Sequence, residues 1–334
     1  MRRFVAPGRV NLIGDHTDYT GGLVLPMAID LSTVVEGERL GSTIELDSRE
    51  LEGHVSLPLG ASHGPGTTPS WGRYVAAVSS LVKPTVGFRG TVSTGIPVGG
   101  GLSSSAALEV ATALALGADT DPERLALLCR EAEHLATGVP TGIMDQLCIT
   151  SAREGHATLI DCTSLAVRHV PVPEDVEIVV RFVAHRTLEG SPYADRVDEC
   201  RQAEQQVGPL RDASRDDVER IADTTVRSRA RHVVTENARV TDFATALGRG
   251  DWVSAGAIMT DGHRSLSSDF AVSTAQMDTE VARTNEVSGV FGTRMTGGGF
   301  GGCIVSLCRP GTEIPGWKVR ASHGAREVTQ SDGR

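Results

Sequence analysis

The chain has 334 residues, of which 40% are hydrophobic and 22% are charged, a balance typical of a folded protein rather than a disordered one. Its 32 basic and 42 acidic residues give a formal net charge of −10, which excludes a general attraction for nucleic acids or anionic membrane surfaces. We therefore expect neither a nucleic acid nor a membrane among its partners.

Lysine and cysteine usage excludes several further classes of protein. The two lysines, Lys83 and Lys318, do not stand in the Gly-Lys-Ser/Thr setting of a P-loop, which excludes Walker-type phosphate binding. The six cysteines are scattered without a C-x-x-C pair, and the sequence shows neither a secretory leader nor an apolar stretch of about 18 residues. We expect a cytoplasmic protein with reduced thiols.

Strands and helices are predicted in mixed order along the chain. In chain order they are strand 43–47, strand 86–94, helix 102–116, helix 122–136, strand 157–161, strand 176–184, helix 191–206, helix 228–247 and strand 303–308. Because the order does not alternate strictly, it indicates an α+β protein. The proline-rich stretch 171–174 is the expected join between domains.

Two of the predicted helices carry capping signals at their starts. Asp121 is the expected N-cap of one helix, with Pro122 at its first position. Ser191 is the expected N-cap of another, with Pro192 just inside it.

The 38 glycines are concentrated in three segments, which are residues 8–22, 95–101 and 289–302. The second segment joins a predicted strand to a predicted helix through three glycines and three serines. Such a helix start presents unpaired N–H groups and the positive end of the helix dipole to an anion. Glycines let a polyphosphate approach, and a serine hydroxyl can supply a hydrogen bond or a magnesium ligand. The alternative is a helix that serine merely caps.

The third segment contains a formal G-x-G-x-x-G at Gly297, Gly299 and Gly302. A dinucleotide fingerprint should follow a strand and open a helix, whereas these glycines run into strand 303–308. The sequence therefore argues against a Rossmann dehydrogenase.

The first segment places polar side chains among its glycines: Arg9, Asn11, Asp15, His16, Asp18 and Tyr19. Such a cluster can hydrogen-bond several hydroxyls of a sugar. Asp15, His16 and Asp18 also resemble a set of metal ligands, although no further His or Cys nearby completes it.

These segments together resemble a known family. Residues 8–19 (GRVNLIGDHTDY) are similar to the galactokinase signature, and residues 99–107 and 295–302 resemble the second and third motifs of the GHMP small-molecule kinases, the superfamily containing the galactokinases. Four further stretches are similar to galactokinases, namely 132–134, 142–146, 161–165 and 232–237. The likeness extends in order from about residue 5 to residue 307.

The resemblance implies ATP-dependent phosphorylation of the anomeric hydroxyl of galactose, giving galactose 1-phosphate and ADP. It implies a two-domain GHMP kinase fold with the active site in the cleft between the domains. The N-terminal domain, 1–172, would carry the ATP phosphate loop, the sugar signature and the catalytic aspartate. The C-terminal domain, 173–334, would be ferredoxin-like and carry the third motif. The implied partners are a sugar, ATP and Mg²⁺, and the expected state is a monomer.

Roles follow position by position from the same resemblance. Asp145 matches the catalytic aspartate, Arg9 the arginine that stabilises charge on the transferring phosphoryl group, and Ser105 and Glu133 the magnesium ligands. The residues that match sugar contacts are Asp15, His16, Asp18, Gly142 and Tyr193. The residues that match the ATP-binding loop are Val98, Gly99, Gly100, Gly101, Leu102, Ser103, Ser104 and Ser105.

Two departures from the family pattern bear on the choice of sugar. Asp15 stands where galactokinases usually have Glu, at a position that contacts the C6 hydroxyl. Only five residues precede Ala6, where the family normally has an N-terminal extension, and Thr141, where Cys or Ser is frequent, is a smaller change beside the substrate loop. A displaced buried carboxylate changes substrate choice strongly. The alternatives are therefore a kinase for N-acetylgalactosamine, arabinose, galacturonate or a cyclitol, or a non-catalytic sugar and ATP sensor.

Overall fold

The computed structural model describes residues 1–60, 67, 69–185 and 192–328. The strands of this part of the chain are β1 (Arg2–Ile13), β2 (Leu23–Arg39), β3 (Thr43–Ser48), β4 (His54–Pro58), β5 (Phe88–Thr94), β6 (His156–Asp161), β7 (Val167–Pro171), β8 (Glu177–Ala184), β9 (Val290–Thr296), β10 (Gly302–Cys308), β11 (Trp317–Val319) and β12 (Arg326–Val328). Its helices are α1 (Gly72–Val82), α2 (Ser104–Leu116), α3 (Pro122–Thr137), α4 (Met144–Ser151), α5 (Tyr193–Val207), α6 (Arg215–Glu219), α7 (Thr224–Arg249), α8 (Trp252–Ser268) and α9 (Ala275–Asn285). Among the described helices, none has both the length and the apolar character that crossing a membrane requires.

The larger sheet has eight strands. Its main path runs in the order β12-β1-β2-β5-β3-β4, and β6 pairs with β2 and with β7 beside this path. Neighbouring strands are antiparallel except β3 and β5, which are parallel. The long central strands β1 and β2 bury most of their side chains, so this sheet is a rigid base for the residues that follow their ends.

Helix α2 lies at the centre of the N-terminal half. It contacts β1 and β2 and also α1, α3 and α4, and ten of its thirteen residues are buried. A helix enclosed on all sides is apolar all round, which explains why its sequence shows little amphipathic periodicity. Its many alanines let the neighbouring elements approach closely. This packing fixes the start of α2 and the glycine loop in front of it.

The smaller sheet has the order β11-β8-β10-β9 and is antiparallel throughout. Helices α8 and α9 contact β9, and α7 packs on α8 and α5. A separate apolar core belongs to this half and includes Leu266, Phe270, Met295 and Ile304. Residues 297–301 of the third glycine segment form the turn between β9 and β10.

The two halves of the chain are joined by more than one connection. The predicted boundary at residue 172 falls between β7 and β8. Beyond the smaller sheet the chain returns to the larger one, where Ala321 bridges Ile29 and β12 pairs with β1. The long helix α7 also contacts β1 and β2. The exact division into domains remains a prediction.

The α+β class is confirmed, and each predicted strand or helix overlaps an observed element of the same type. Asp121 caps α3 as expected, since its side chain accepts a hydrogen bond from Arg124 N at 3.0 Å. Helix α2 begins two residues later than predicted because Gly101 and Ser103 adopt left-handed φ angles of 79° and 61°.

The predicted start of α5 is wrong in one respect. Pro192 is the N-cap residue itself and the helix begins at Tyr193, so the proline is not inside the helix. Ser191 lies outside the described residues.

Candidate active site

A cavity of about 440 Å³ lies where the two halves of the chain meet, and we call it the active-site cavity. The predicted site residues that line it are Arg9, Asp15, His16, Asp18, Val98, Gly99, Gly101, Ser103, Ser104, Ser105, Glu133, Gly142, Asp145 and Tyr193. Two members of the predicted ATP-binding loop, Gly100 and Leu102, do not line it. Leu102 is fully buried, and a side chain on Gly100 would meet Pro97.

The phosphate loop, residues 98–105, turns from β5 into α2. Gly99 and Gly101 have φ angles of 75° and 79°, a region that glycine enters without steric cost. The loop is tied to β1 by a hydrogen bond of 3.1 Å from Arg9 N to Leu102 O. At Gly8, an added Cβ would lie 2.8 Å from that same carbonyl oxygen. The first turn of α2 is therefore held at the edge of the cavity, where its N–H groups suit an anion.

Arg9 and Asp145 form a bidentate ion pair that faces the cavity. Arg9 Nε and Nη2 donate to Asp145 Oδ1 and Oδ2, each at 2.7 Å. Arg9 Nη1 donates to Gly101 O at 2.7 Å, and Ser103 Oγ donates to Asp145 Oδ2. The guanidinium thereby links β1, the phosphate loop and the first turn of α4. Its side chain is 3% exposed, whereas that of Asp145 is 22% exposed and reaches the cavity.

Ser105 and Glu133 lie side by side at the start of α2. Ser105 Oγ donates to Glu133 Oε1 at 2.9 Å, and Thr141 Oγ1 and Gln146 Nε2 donate to Glu133 Oε2 at 3.1 and 2.9 Å. Burial, reinforced by the charge of Asp145, raises the pKa of the Glu133 carboxyl. Glu133 has no ion pair within the described residues, so its buried charge has no protein cation to balance it.

Asp18 is buried against the backbone of Gly142. A Cβ at position 142 would overlap the Asp18 carboxylate, so a side chain there must displace that carboxylate. Burial, and next the charge of Asp145, raises the pKa of Asp18 from 3.8 to about 7. The structure thus brings together two predicted sugar-binding residues that are 124 positions apart in the sequence.

Aromatic rings surround His16 on the other wall of the cavity. Its Nδ1 lies 3.0 Å from the hydroxyl of Tyr19, and its ring centroid lies 5.6 Å from that of Tyr193 and 4.6 Å from that of Phe270. His16 adopts a left-handed φ of 66°. The rings of Tyr193 and Phe270 are tilted to the imidazole by 42° and 40°, so His16 is enclosed among aromatic side chains.

Asp15 is held by protein groups at both carboxylate oxygens. Arg294 Nη2 donates to Oδ2 at 2.7 Å and Gly297 N donates to Oδ1 at 2.8 Å. The third glycine segment therefore supplies a backbone donor to Asp15. No cluster of three or more His, Cys, Asp or Glu suited to a metal exists in the described part of the chain. The metal-ligand interpretation of Asp15, His16 and Asp18 is wrong, since Asp15 is already committed to a buried guanidinium.

Helix α7 holds the loop between β1 and β2 from the side of the C-terminal half. His232 Nε2 lies 3.1 Å from Asp15 O, Glu236 Oε1 accepts from Gly14 N at 3.0 Å, and Asn237 Oδ1 accepts from Leu23 N at 2.7 Å. Glu236 also forms an ion pair of 2.9 Å with Arg294. Although burial opposes it, the guanidinium of Arg294 lowers the pKa of the Glu236 carboxyl.

Several residues of the site were not predicted from the sequence. Further residues that line the cavity are Ser48, Leu51, Trp71, Arg73, Tyr74, Thr94, Leu108, Thr137 and Val139. Glu109, Gln146 and Arg294 lie behind the predicted residues, fully buried. A charged residue within an otherwise apolar helix or strand is the one sequence signal that marks Glu109 and Arg294.

Comparisons with known proteins agree with this geometry. Residues 2–39 match the galactokinase galactose-binding signature, residues 73–153 the GHMP kinase N-terminal domain and residues 243–315 the GHMP kinase C-terminal domain. The chain is 41% identical to the galactokinase of Homo sapiens over 90% of this chain and 82% of that protein, and equally identical to that of Bos taurus over the same shares.

The chain belongs to the galactokinase family. Among solved structures, it superposes on the Lactococcus lactis galactokinase complexed with galactose with a TM-score of 0.89 and 28% identity, covering 98% of this chain and 95% of that one. The mevalonate kinase of Methanococcus jannaschii shares the fold at 20% identity and a TM-score of 0.72, covering 96% and 98% of the two chains. The two-domain GHMP kinase fold expected for a galactokinase is thereby confirmed.

Proposed function

We propose that this member of the galactokinase family transfers the γ-phosphoryl group of ATP to the anomeric hydroxyl of galactose, giving galactose 1-phosphate and ADP. One contact supports this most directly, because Arg9 touches both Gly101 O of the phosphate loop and the Asp145 carboxylate. The guanidinium therefore stands between the place for a phosphate tail and the group that would meet a hydroxyl. Phosphoryl transfer depends chiefly on such positioning and charge neutralisation.

Asp145 is the proposed acceptor of the hydroxyl proton. A carboxylate offers about four acceptor sites, and Arg9 and Ser103 fill three of them. Because Asp145 lines the cavity, a sugar hydroxyl bound there can donate to the remaining site before its oxygen attacks phosphorus. As negative charge builds on the transferring group, the Arg9 guanidinium stabilises it.

The donors at the start of α2 fit a magnesium ion. Ser105 Oγ and a carboxylate oxygen of Glu133 are hard oxygen ligands 2.9 Å apart, and the Glu133 charge lacks a protein cation in the described residues. Buried charges that lack such a partner are commonly balanced by metals. Two protein ligands suffice because Mg²⁺ usually completes its octahedron with water and substrate phosphates. When bound, the ion would neutralise charge on the nucleotide's β- and γ-phosphates.

The sugar would lie between the Asp18 and Gly142 wall and the rings of His16 and Tyr193. Asp18 and His16 would provide polar atoms, and Tyr193, a residue that is 6% exposed and lines the cavity, would provide an aromatic ring. Asp15, whose carboxylate is held by Arg294 Nη2 and Gly297 N, would also contact the sugar. These sugar-binding roles belong to the proposal.

The experiment that tests this function measures ADP release with ATP and Mg²⁺ over a panel of sugars. The panel contains galactose, N-acetylgalactosamine, arabinose, galacturonate and cyclitols. We expect turnover with galactose. Turnover of another member without galactose would instead establish a related sugar kinase, which the shorter Asp15 carboxylate would explain.

A non-catalytic sensor would bind sugar and ATP without releasing ADP. The complete set of Ser105, Glu133, Arg9 and Asp145 around one cavity favours the enzyme. Isothermal titration of sugar and nucleotide beside the ADP assay separates the two functions.

We also propose that the protein works as a monomer in the cytoplasm. Cys129, Cys148, Cys162, Cys200 and Cys308 are thiols that form no disulfide within the described residues, as suits a reducing compartment. Light scattering after size exclusion tests the monomer, and fractionation of the source cells tests the location.

A further inference from the structure

A buried polar network lies directly behind the Glu133 carboxylate. Gln146 Nε2 donates to Glu133 Oε2 at 2.9 Å and to Glu109 Oε2 at 3.2 Å. Gln146 and Glu109 are fully buried, and Glu133 is 9% exposed. The three side chains come from α4, α2 and α3, so one amide group joins three helices at the back of the active-site cavity.

Burying the carboxyl group of Glu109 at this position costs free energy. It occupies the middle of the apolar helix α2, has no ion pair within the described residues, and leaves its Oε1 without a hydrogen-bond partner there. Burial, reinforced by the charge of Glu133, raises the pKa of its carboxyl well above the ordinary value. A leucine would fill this position without desolvating a carboxyl group. The contribution of Glu109 must therefore be sought in the group that it holds.

We propose that Glu109 is a positioning residue for the magnesium site and acts through Gln146. The amide nitrogen of Gln146 has two N–H donors, and Glu109 takes one of them. With the amide fixed in this way, the second N–H points to Glu133 Oε2. Glu133 Oε1, which lies beside Ser105 Oγ, is then presented to the metal.

The inference rests on the proposed roles of Ser105 and Glu133 as magnesium ligands. Without Glu109, the amide of Gln146 loses one of its two anchors, and Glu133 Oε2 keeps only the hydroxyl of Thr141 as a firm donor. Residues that orient a metal ligand typically change metal affinity by about 10- to 100-fold when they are replaced. This range sets the size of the expected effect.

The test measures Mn²⁺ binding to the enzyme and ADP complex by electron paramagnetic resonance, which requires no turnover and no sugar. Mn²⁺ accepts the same oxygen ligands as Mg²⁺. Glu109→Leu removes both acceptor oxygens, and Gln146→Met removes the bridging amide. We expect each to weaken Mn²⁺ binding by about tenfold or more. Glu109→Gln keeps an acceptor oxygen and should stay within about threefold of wild type on the same scale.

Thr293→Val is the matched control, because it removes a buried hydroxyl of the smaller sheet, bonded to Ser306 Oγ at 2.9 Å, far along the chain from the metal ligands. It should alter stability without altering Mn²⁺ affinity. Wild-type Mn²⁺ affinity in Glu109→Leu or in Gln146→Met would overturn the positioning role, and if the leucine variant does not fold, the methionine variant decides. A wild-type ADP complex that binds no Mn²⁺ would refute the ligand assignment itself, and lack of ADP release with galactose would refute the proposed reaction.

Discussion

The Cα atom of Gly142 lies against the carboxylate of Asp18, so closely that a Cβ added at position 142 would overlap Asp18 Oδ2. The contact joins the loop after β1 to the loop before α4. Because that second loop leads directly to Asp145, the same contact sets the distance between Asp18, a proposed sugar-binding residue, and the proposed proton acceptor.

Replacing Gly142 by alanine should therefore damage sugar binding. The methyl group must displace the Asp18 carboxylate, and a misplacement of about 1 Å at a reacting centre costs on the order of 100-fold. We expect the KM for galactose to rise at least about tenfold while the Kd for ADP stays near that of wild type. Initial rates and calorimetry measure the two quantities.

Gly248→Ala is the control for this substitution. Gly248 lies near the end of α7 with open space around it, so alanine there should leave both constants unchanged. An unchanged KM for galactose in Gly142→Ala would refute the proposed sugar-binding role of Asp18.

Asp145→Asn should abolish turnover and leave nucleotide binding intact. The amide carries no negative charge, cannot accept a proton from a hydroxyl, and leaves Arg9 without its ion-pair partner. We expect kcat to fall by about 10³-fold or more. ADP calorimetry checks binding, and Asp198→Asn, which removes an exposed aspartate, serves as the control. Turnover near the wild-type rate would refute the catalytic role.

The Asp18 carboxyl should make stability depend on pH. The pKa of Asp18 is about 7 in the folded chain and near 3.8 in the unfolded chain, so the folded state keeps a proton that the unfolded state has released. The contribution of this group to the free energy of unfolding therefore falls as pH rises between these two values and becomes constant about one pH unit above the folded-state pKa. The buried His232 and His263, whose pKa values burial lowers to about 4, oppose this trend below pH 6.5.

Asp18→Asn isolates this contribution. The variant does not titrate at position 18, so its unfolding free energy should rise relative to wild type by up to about 1.4 kcal/mol per pH unit between pH 5 and 7. Urea unfolding at pH 5.5, 6.5 and 8 measures the difference. A difference that is the same at all three pH values would contradict the raised pKa.

Arg294→Met should destabilise the fold strongly. The guanidinium is fully buried between Asp15 and Glu236, and its removal deprives these two buried carboxylates of the ion pair that each forms with Arg294. Breaking a buried ion pair in this way costs about 3–5 kcal/mol. Urea unfolding should show this loss, whereas Arg283→Met, which removes an arginine with a 73% exposed side chain, should cost less than about 1 kcal/mol. Equal losses would contradict the proposed difference in burial.

The phosphate loop could be predicted from sequence because its signal is local. Glycines, serines and an apolar helix follow one another without interruption, and the structure places Ser105 where that order implies. The contact of Asp18 with Gly142 could not be predicted from spacing, since it depends on how β1 and α4 meet. The resemblance placed both residues in one site, and the geometry shows that a side chain at position 142 would displace the Asp18 carboxylate.

The residues behind the site are a different case. Glu109 lies in a helix that is apolar all round, and its sequence neighbours give no sign that Gln146 lies opposite it. Arg294 stands in a short strand, and its partners come from the end of β1 and from α7. Long-range polar pairs of this kind depend on the folded packing of three elements, which no periodicity encodes.

The hydrogen bonds from α7 to the turn between β1 and β2 affect the order in which the active site can form during folding. Although residues 14–23 are made early, their backbone is completed by Glu236 and Asn237, which come more than two hundred positions later. A fragment ending at residue 172 would keep the phosphate loop, residues 98–105. It would lack Glu236 and Asn237, which hold the backbone of residues 14–23 in the proposed sugar site. We therefore expect the proposed sugar site to form only once the last third of the polypeptide has docked on the first.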